Sequence, residues 1–464
     1  MERPDVKFTR ADDGAYLAYQ VFGDGPVTLF WSEDTFAMVD SWWDSPPERA
    51  WHEGLAGFAR IVIHDRRGIG LSSRDVAPGN LEIQVTDILA VLDAVGSQRC
   101  AFGGFFESGA PNALLAATYP ERISGLVWIA PTARTLWAPD YPWAASQEVI
   151  EREREITAGW GTGAWAQAFV DLYSDALSGP WGDETYIRFL ATVSRRTCTP
   201  DIARELSTIW SETDVRGVLP SIQAPVLLMA PKIDGHVEHA RYLQTQIPNA
   251  EIVTFPGPVL EYRDFGTVHE AIRGFIGAEP RAIDPEDRVL ATLLMTDIVG
   301  STQRAAEVGD AGWRRLIAEH DDRAKTEIER FRGTYVDSAG DGVFARFDGP
   351  ARAIRCAQGI AEAVRPLGVD IRAGLHTGEV ELDGDHVRGI AVHIGARVAS
   401  LAGPSEVLVS STVKDLVAGS GLTFEDVGEH ELKGVPDRWR LYRVVSETGA
   451  RLDPPGPQDP YRGS

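Results

Sequence analysis

Apolar positions follow two alternating rhythms through the first part of the chain. VTLFW, ARIVIHD and RCAFGGF are short continuous apolar runs, which predict buried strands. LEIQVTDILAVLDAVG and GAPNALLAATYP repeat their apolar residues every three or four positions, which predicts helices. The pattern resumes over residues 221–276, where APVLLMAP and AEIVTFPG predict strands and HEAIRGFIG a helix. Strands alternating with helices imply α/β architecture, a parallel sheet covered on both faces. Between these stretches, residues 133–215 predict a helical insert with Trp137, Trp143, Trp160, Trp165, Trp181 and Trp210, six of the 13 tryptophans. Such a concentration reads either as the packing core of a lid or as a lid over an apolar ligand pocket.

Prolines and charges in AEPRAIDPED interrupt the periodicity, which predicts a first domain over 1–278 and a linker over 279–288. A second domain is expected over 289–446, then a Pro/Gly-rich disordered tail over 447–464. RVLATLLMTDIVGST predicts a strand ending at Asp297 and a turn of small residues. GWRRLIAEHDDRAKTEIERFRG predicts an amphipathic helix, with Trp313, Leu316, Ile317 and His320 on one side. TYVDSAGDGVFARF predicts a hairpin with Asp341-Gly342 at its tip, since Asp-Gly suits a tight primed turn.

Charge narrows the partners. Across 464 residues, 68 acidic side chains outnumber 45 basic ones, a net charge of −23 that argues against nucleic acid or anionic membrane surfaces. No apolar run is long enough to span a bilayer, and MERPDVKFTRADDG has charges where a signal peptide is apolar. Three dispersed cysteines, Cys100, Cys198 and Cys356, show no metal-ligand spacing, so a reducing cytoplasm is expected.

Residues 1–278 resemble the α/β-hydrolase family through HDRRGIGLSSR, DILAVLDAVG, GGFFESGAPNALLAATYPERISGLVWIAP and PVLLMAPKIDGHVEHARYLQTQIP. That family sets a nucleophilic serine on a sharp strand-to-helix elbow, G-x-S-x-G. Here the slot holds Phe106, within Gly104-Phe105-Phe106-Glu107-Ser108. Ser108 is expected to be a cap or turn residue instead. Asp234 stands where the family has its acid, and Leu260 near the histidine slot, with His269 too far along. WSEDTFAMVD also lacks the His-Gly pair of the usual oxyanion loop. The resemblance therefore implies a catalytically dead hydrolase domain, kept as a sensor for a small apolar ligand or as a dimerisation scaffold.

Residues 289–446 resemble the class III nucleotidyl cyclase domain, an α+β fold. The resemblance lies in TDIVGST, SAGDGVFARFDGPARAIRCA, VDIRAGLHTGEVE, GIAVHIGARVASLAGPSEVLVSSTVKDLV and FEDVGEHELKGVPDRWRLYRV. The combination is similar to two-domain actinobacterial cyclases with an α/β-hydrolase domain in front. It implies conversion of ATP to 3′,5′-cyclic AMP and pyrophosphate, with two Mg²⁺ or Mn²⁺ per site. Asp297, the Ile298 backbone and Asp341 match the metal positions, while Gly300, Ser301, Thr302 and Lys433 match the phosphate contacts. Arg397 matches the arginine that steadies the transition-state phosphoryl oxygens, and His393 takes the slot of the ribose-orienting asparagine. Because the family divides these residues between two protomers, a homodimer is implied.

Base reading departs from the adenylate pattern. Asp337 and His386 occupy the slots where adenylate cyclases usually have lysine and aspartate. An ionised aspartate only accepts hydrogen bonds, which suits the guanine N1–H and 2-amino group, so GTP is an alternative to ATP. Pyrimidine nucleotides are another. An alternative of a different class is a ligand-binding signalling protein with a silent cyclase domain.

Overall fold

The computed structural model describes residues 1–33, 38–173, 184–233, 235–256, 265–277, 288–339, 341–383 and 386–445. Residues 279–287 of the expected 279–288 linker, the tail from 447 onward, Trp181, Asp234 and Leu260 lie outside the described residues, while Arg288 already opens a strand. The described chain forms two compact units, one up to residue 277 and one from residue 288.

The first unit is built on an eight-stranded sheet. Its strands are β1 (Lys7–Arg10), β2 (Tyr16–Phe22), β3 (Thr28–Ser32), β4 (Arg60–His64), β5 (Cys100–Phe105), β6 (Ile123–Ile129), β7 (Val226–Pro231) and β8 (Ala250–Phe255). They lie in the order β1-β2-β4-β3-β5-β6-β7-β8. The sheet is parallel from β4 to β8, as the strand–helix alternation requires, but β1 and β2 add an antiparallel edge. The sequence reading missed that edge because YLAYQVF follows a charged start with no helix between.

Helices α1 (Pro46–Ala56), α2 (Leu81–Ala94), α3 (Gly109–Thr118), α8 (His236–Gln246) and α9 (Phe265–Ile276) accompany the sheet. Between β6 and β7 the chain forms α4 (Gln147–Thr157), α5 (Gly163–Leu172), α6 (Glu184–Thr197) and α7 (Pro200–Glu212). These four have an apolar core of their own, with Trp160, Trp165, Tyr186, Leu190 and Leu206 buried together. Helix α9 starts four residues before the predicted HEAIRGFIG, since Phe265 packs on Trp51 with ring centroids 5.1 Å apart.

The second unit has its own eight strands, in the order β10-β11-β9-β12-β14-β16-β15, with β13 paired on β12. These are β9 (Arg288–Ile298), β10 (Thr334–Ala339), β11 (Gly342–Phe347), β12 (Ile371–Asp383), β13 (His386–Arg388), β14 (Val407–Ser410), β15 (Thr423–Glu431) and β16 (Arg438–Val445). Long strands β9 and β12 run antiparallel from Ile371 opposite Ile298 to Glu381 opposite Arg288. Successive side chains of β9 point to opposite faces. Leu294 and Ile298 join α10 (Ser301–Arg330) and α11 (Pro350–Val364), whereas Ala291 and Leu293 meet α12 (Ile390–Leu401) on the other side. A short α13 (Ser411–Leu416) follows β14.

Two local expectations are corrected. The helix predicted from Gly312 begins at Ser301, directly after Gly300 in the left-handed region, and kinks at Gly309. Gly342 already pairs with Ala339 across the hairpin. Asp341 thus belongs to the turn and Gly342 to β11.

Candidate functional site

In the second unit, strand pairing brings two aspartates to one end of the sheet. Asp297 lies on β9 directly opposite Arg372 on β12, and the Arg372 guanidinium donates to its Oδ2, with Nε at 2.8 Å and Nη2 also in contact. Asp341 reaches the same place through its hairpin. A Cβ on Gly342 would sit 2.2 Å from the Thr296 carbonyl oxygen and 3.6 Å from the Asp297 Cα, so only glycine lets β11 approach so closely. Val343 N donates to Thr296 Oγ1 at 3.2 Å and holds that approach. Asp341 Oδ2 is buried without a hydrogen-bond partner among the described residues, an expensive state for a carboxylate oxygen.

Ile298 is buried, and Gly300 turns the chain with φ +68° so that Ser301 and Thr302 open α10. First-turn N–H groups of a helix have no intrahelical acceptor, and the helix dipole favours anions there. No group of three or more His, Cys, Asp or Glu side chains poised for a metal occurs among the described residues. The donor set here is two carboxylates, hard oxygen ligands of the kind Mg²⁺ and Mn²⁺ prefer.

A second group gathers around α12. His393 and Arg397 are one helical turn apart, and both are exposed. Arg397 Nε donates to the carbonyl of Lys433 at 3.0 Å, tying the helix to the turn after β15, where Leu432 is buried. Apolar side chains are also open at both ends of this helix, Ile390 at 56% exposure and Leu401 at 44%. Among the described residues, no hydrogen bond or ion pair joins Arg397 or Lys433 to Asp297 or Asp341. Asp337 on β10 and His386 on β13 are exposed, on strands that do not pair.

In the first unit, the hydrolase-like elbow persists as a shape. Phe106 follows β5 with φ +43°, a strained value for a side chain of its size. Its carbonyl accepts from Trp128 Nε1 at 2.6 Å. Ser108 does not cap α3 with its side chain; its buried hydroxyl donates to the Phe105 carbonyl at 2.5 Å, which makes it a turn residue. Gly104 fits because a Cβ there would lie 2.6 Å from Ser108 Oγ. The His236 ring lies 6.3 Å from that of Phe106, and burial lowers its pKa. His269 is packed against Trp51 instead, where burial lowers it to about 4.

A cavity of about 180 Å³ lies between the elbow and the lid helices. Trp160, Trp165 and Trp210 of the predicted tryptophan-rich insert line it, together with Phe106 itself. Trp137 is instead 48% exposed, and Trp143 packs on Tyr141. The sequence reading missed a buried ion pair in the wall: His52 Nε2 and Glu33 Oε1 are 2.8 Å apart, and His52 Nδ1 lies 2.8 Å from the Glu48 carbonyl. Burial alone would lower the His52 pKa, but the Glu33 carboxylate raises it above the ordinary histidine value. Glu33, directly after an apolar strand, was the available signal. Arg372 was missed as well, although it is a charge inside the otherwise apolar start of β12.

No family model matches the chain. "Putative adenylate cyclase 3" of Rhizobium meliloti (strain 1021) is 27% identical over 191 residues, 38% of this chain and 32% of that protein. This chain therefore spans about a third of that relative's length. "Putative carbamate hydrolase RutD" of Pseudomonas savastanoi pv. phaseolicola is 25% identical over 224 residues, 46% of this chain and 80% of that protein. Among solved structures, a bromoperoxidase from Bacillus anthracis covers 59% of this chain and 100% of its own, with a TM-score of 0.50 at 18% identity, a likeness of fold.

Proposed function

We propose, for a chain that joins an α/β-hydrolase-like part to an adenylate/guanylate-cyclase-like part, that it converts ATP to 3′,5′-cyclic AMP and pyrophosphate at a homodimer interface. The observation behind this reading is Asp341 Oδ2, a buried carboxylate oxygen with no donor among the described residues, beside the Asp297 strand end. Asp297, Asp341 and the Ile298 backbone would hold two Mg²⁺ or Mn²⁺, which when bound acidify the 3′-hydroxyl and offset the triphosphate charge. The Arg372 guanidinium now neutralises Asp297 and has to yield part of that carboxylate on metal binding.

The chain's own groups supply the rest. Backbone N–H groups of Gly300, Ser301 and Thr302 receive phosphate oxygens, and Lys433 meets the β- and γ-phosphates. Arg397 stabilises charge on the transition-state phosphoryl oxygens, and His393 orients the ribose by a hydrogen bond. Among the described residues no hydrogen bond or ion pair joins Arg397 to the two aspartates, which supports a site shared between protomers, as does the apolar exposure at Ile390 and Leu401. The exposed Asp337 favours GTP as a second reading, since a carboxylate accepts from guanine. For the first unit, Phe106 at the elbow speaks for a ligand-sensing part without hydrolase chemistry.

Mixing protomers tests the shared site. Asp341→Ala and Arg397→Ala homodimers should each lose about 10²-fold or more of the activity. Random mixing makes half the dimers heterodimers with one intact site of two, so about a quarter of wild-type activity should return. Verified heterodimers without rescue would contradict the shared site.

A further inference from the structure

Twelve of the 23 described side chains lining the cavity of the first unit are aromatic, and four of them form a ladder. Trp165, Phe169 and Tyr173 follow one another at four-residue spacing along α5 and its C-terminal end, so they share one helix face. Ring centroids lie 5.6 Å apart between Trp165 and Phe169 and 5.0 Å apart between Phe169 and Tyr173. Trp160 adds a fourth ring, 4.5 Å from Trp165. Rings at such spacings offer faces and edges on which another ring packs well. Cavities of about 150 Å³ in apolar cores take up benzene. This one, of about 180 Å³, has room for a body of one or two rings.

The ladder ends at a polar cluster. The Tyr173 hydroxyl donates to Glu153 Oε2, and Ser207 Oγ donates to Glu153 Oε1 at 2.8 Å. Three parts of the lid, α4, α7 and the end of α5, thus meet at one buried carboxylate, and all three side chains line the cavity. A hydroxyl has one proton, and here both protons are spent on the carboxylate. The cluster therefore presents lone pairs to the cavity, on the two hydroxyl oxygens and on a carboxylate with about four acceptor positions. Burial raises the Glu153 pKa by more than its two hydrogen bonds and the charge of Arg154, which itself donates to Ser211 Oγ at 3.0 Å, lower it. A further donor would favour that carboxylate. Other carboxylates of the wall have partners of their own, Glu33 in its bond with His52, and Glu48 and Glu107 elsewhere.

We propose that this cavity binds a flat aromatic molecule of one or two rings that carries a hydroxyl, with the rings against the α5 ladder and the hydroxyl donating to Glu153. A molecule with only acceptors at that end would face lone pairs with lone pairs and leave both sides desolvated without a bond. This inference rests on the reading of the first unit as a ligand-sensing part.

Equilibrium dialysis of the full-length protein tests it with three probes. These are 2-naphthol, 2-methylnaphthalene, which has a methyl group in place of the hydroxyl, and decahydro-2-naphthol, which keeps the hydroxyl on a saturated body. 2-Naphthol should bind saturably, one per chain, and about tenfold or more tighter than 2-methylnaphthalene, the usual worth of a hydrogen bond to a charged group. It should also bind severalfold tighter than decahydro-2-naphthol, whose puckered body cannot lie flat on the ladder. Glu153→Gln should bring 2-naphthol to within a few-fold of 2-methylnaphthalene, with the affinity for the latter and the melting temperature nearly unchanged. An unchanged ratio in the folded variant overturns Glu153 as the acceptor. Should the variant fold poorly, the wild-type ranking still decides. 2-Methylnaphthalene bound as tightly as 2-naphthol overturns the hydroxyl assignment, and decahydro-2-naphthol bound as tightly overturns the aromatic one; in both cases the cavity remains a ligand site. No saturable binding of any of the three overturns this inference and the ligand-sensing reading together.

Discussion

His376 shows what a single buried group contributes to the second unit. It is 4% exposed, its Nδ1 lies 2.9 Å from Ser410 Oγ, and burial lowers its pKa to about 4. An unfolded histidine titrates near 6.5, so the folded chain binds fewer protons than the unfolded chain between these values. The neutral ring's contribution is therefore complete above pH 6.5 and is lost as pH falls towards 4, about 2 kcal/mol of it by pH 5. Denaturant unfolding of wild type and His376→Gln should show a variant penalty smaller by about that amount at pH 5 than at pH 7.5. An equal penalty at both values would count against a neutral buried ring. At Phe106 the question is chemical. Phe106→Ser would restore a hydroxyl to the elbow, but Leu260 stands near the expected histidine slot, and His236 and His269 are both partly buried, which lowers their pKa. Hydrolysis of p-nitrophenyl acetate should stay at background; turnover by the variant would show that a base survives.

At the scale of elements, the approach of β11 to β9 decides whether two aspartates become one site. Gly342→Ala would thrust a Cβ against the Thr296 carbonyl, so β11 must shift. Overpacking of this kind costs about 1–3 kcal/mol, and the displaced Asp341 should lower cyclase activity further than stability alone explains. The check is a melting curve beside a turnover assay, and an active, unshifted Gly342→Ala would contradict the close approach. The sequence made much of this legible. Continuous apolar runs and three-to-four spacing fixed the parallel strands and their helices, because burial on both faces leaves a strong pattern. Strands β1 and β2 escaped: β1 is an exposed edge strand with a weak pattern, and β2, though buried, follows a charged start with no helix between. Gly342 lies in β11 where Asp-Gly suggested a turn position, because tertiary contact at Gly342 overrides local turn preference. Asp297 and Asp341 could be named as a pair only through resemblance, since each alone reads as an ordinary strand-end or turn carboxylate. The Asp297–Arg372 and Glu33–His52 pairs join residues 75 and 19 positions apart, a proximity that periodicity does not encode.

Across the whole molecule, the proposed chemistry falls to one unit and the proposed sensing to the other. No helix among the described residues is long and apolar enough to cross a membrane. The first unit keeps the elbow and the lid but presents phenylalanine where a nucleophile would stand, and its cavity is walled by aromatic rings and glutamates. The second unit has the carboxylates of Asp297 and Asp341 at one strand end and, on the open side of α12, the exposed Arg397. The most direct test of this division is product analysis. Purified protein is incubated separately with ATP, GTP, CTP and UTP, in Mg²⁺ and then Mn²⁺, beside an Asp297→Ala control, and the products are separated by liquid chromatography and identified by mass spectrometry. The account predicts 3′,5′-cyclic AMP and pyrophosphate from ATP, lost in the control. A folded dimer that forms no cyclic product from any of the four nucleotides would contradict it.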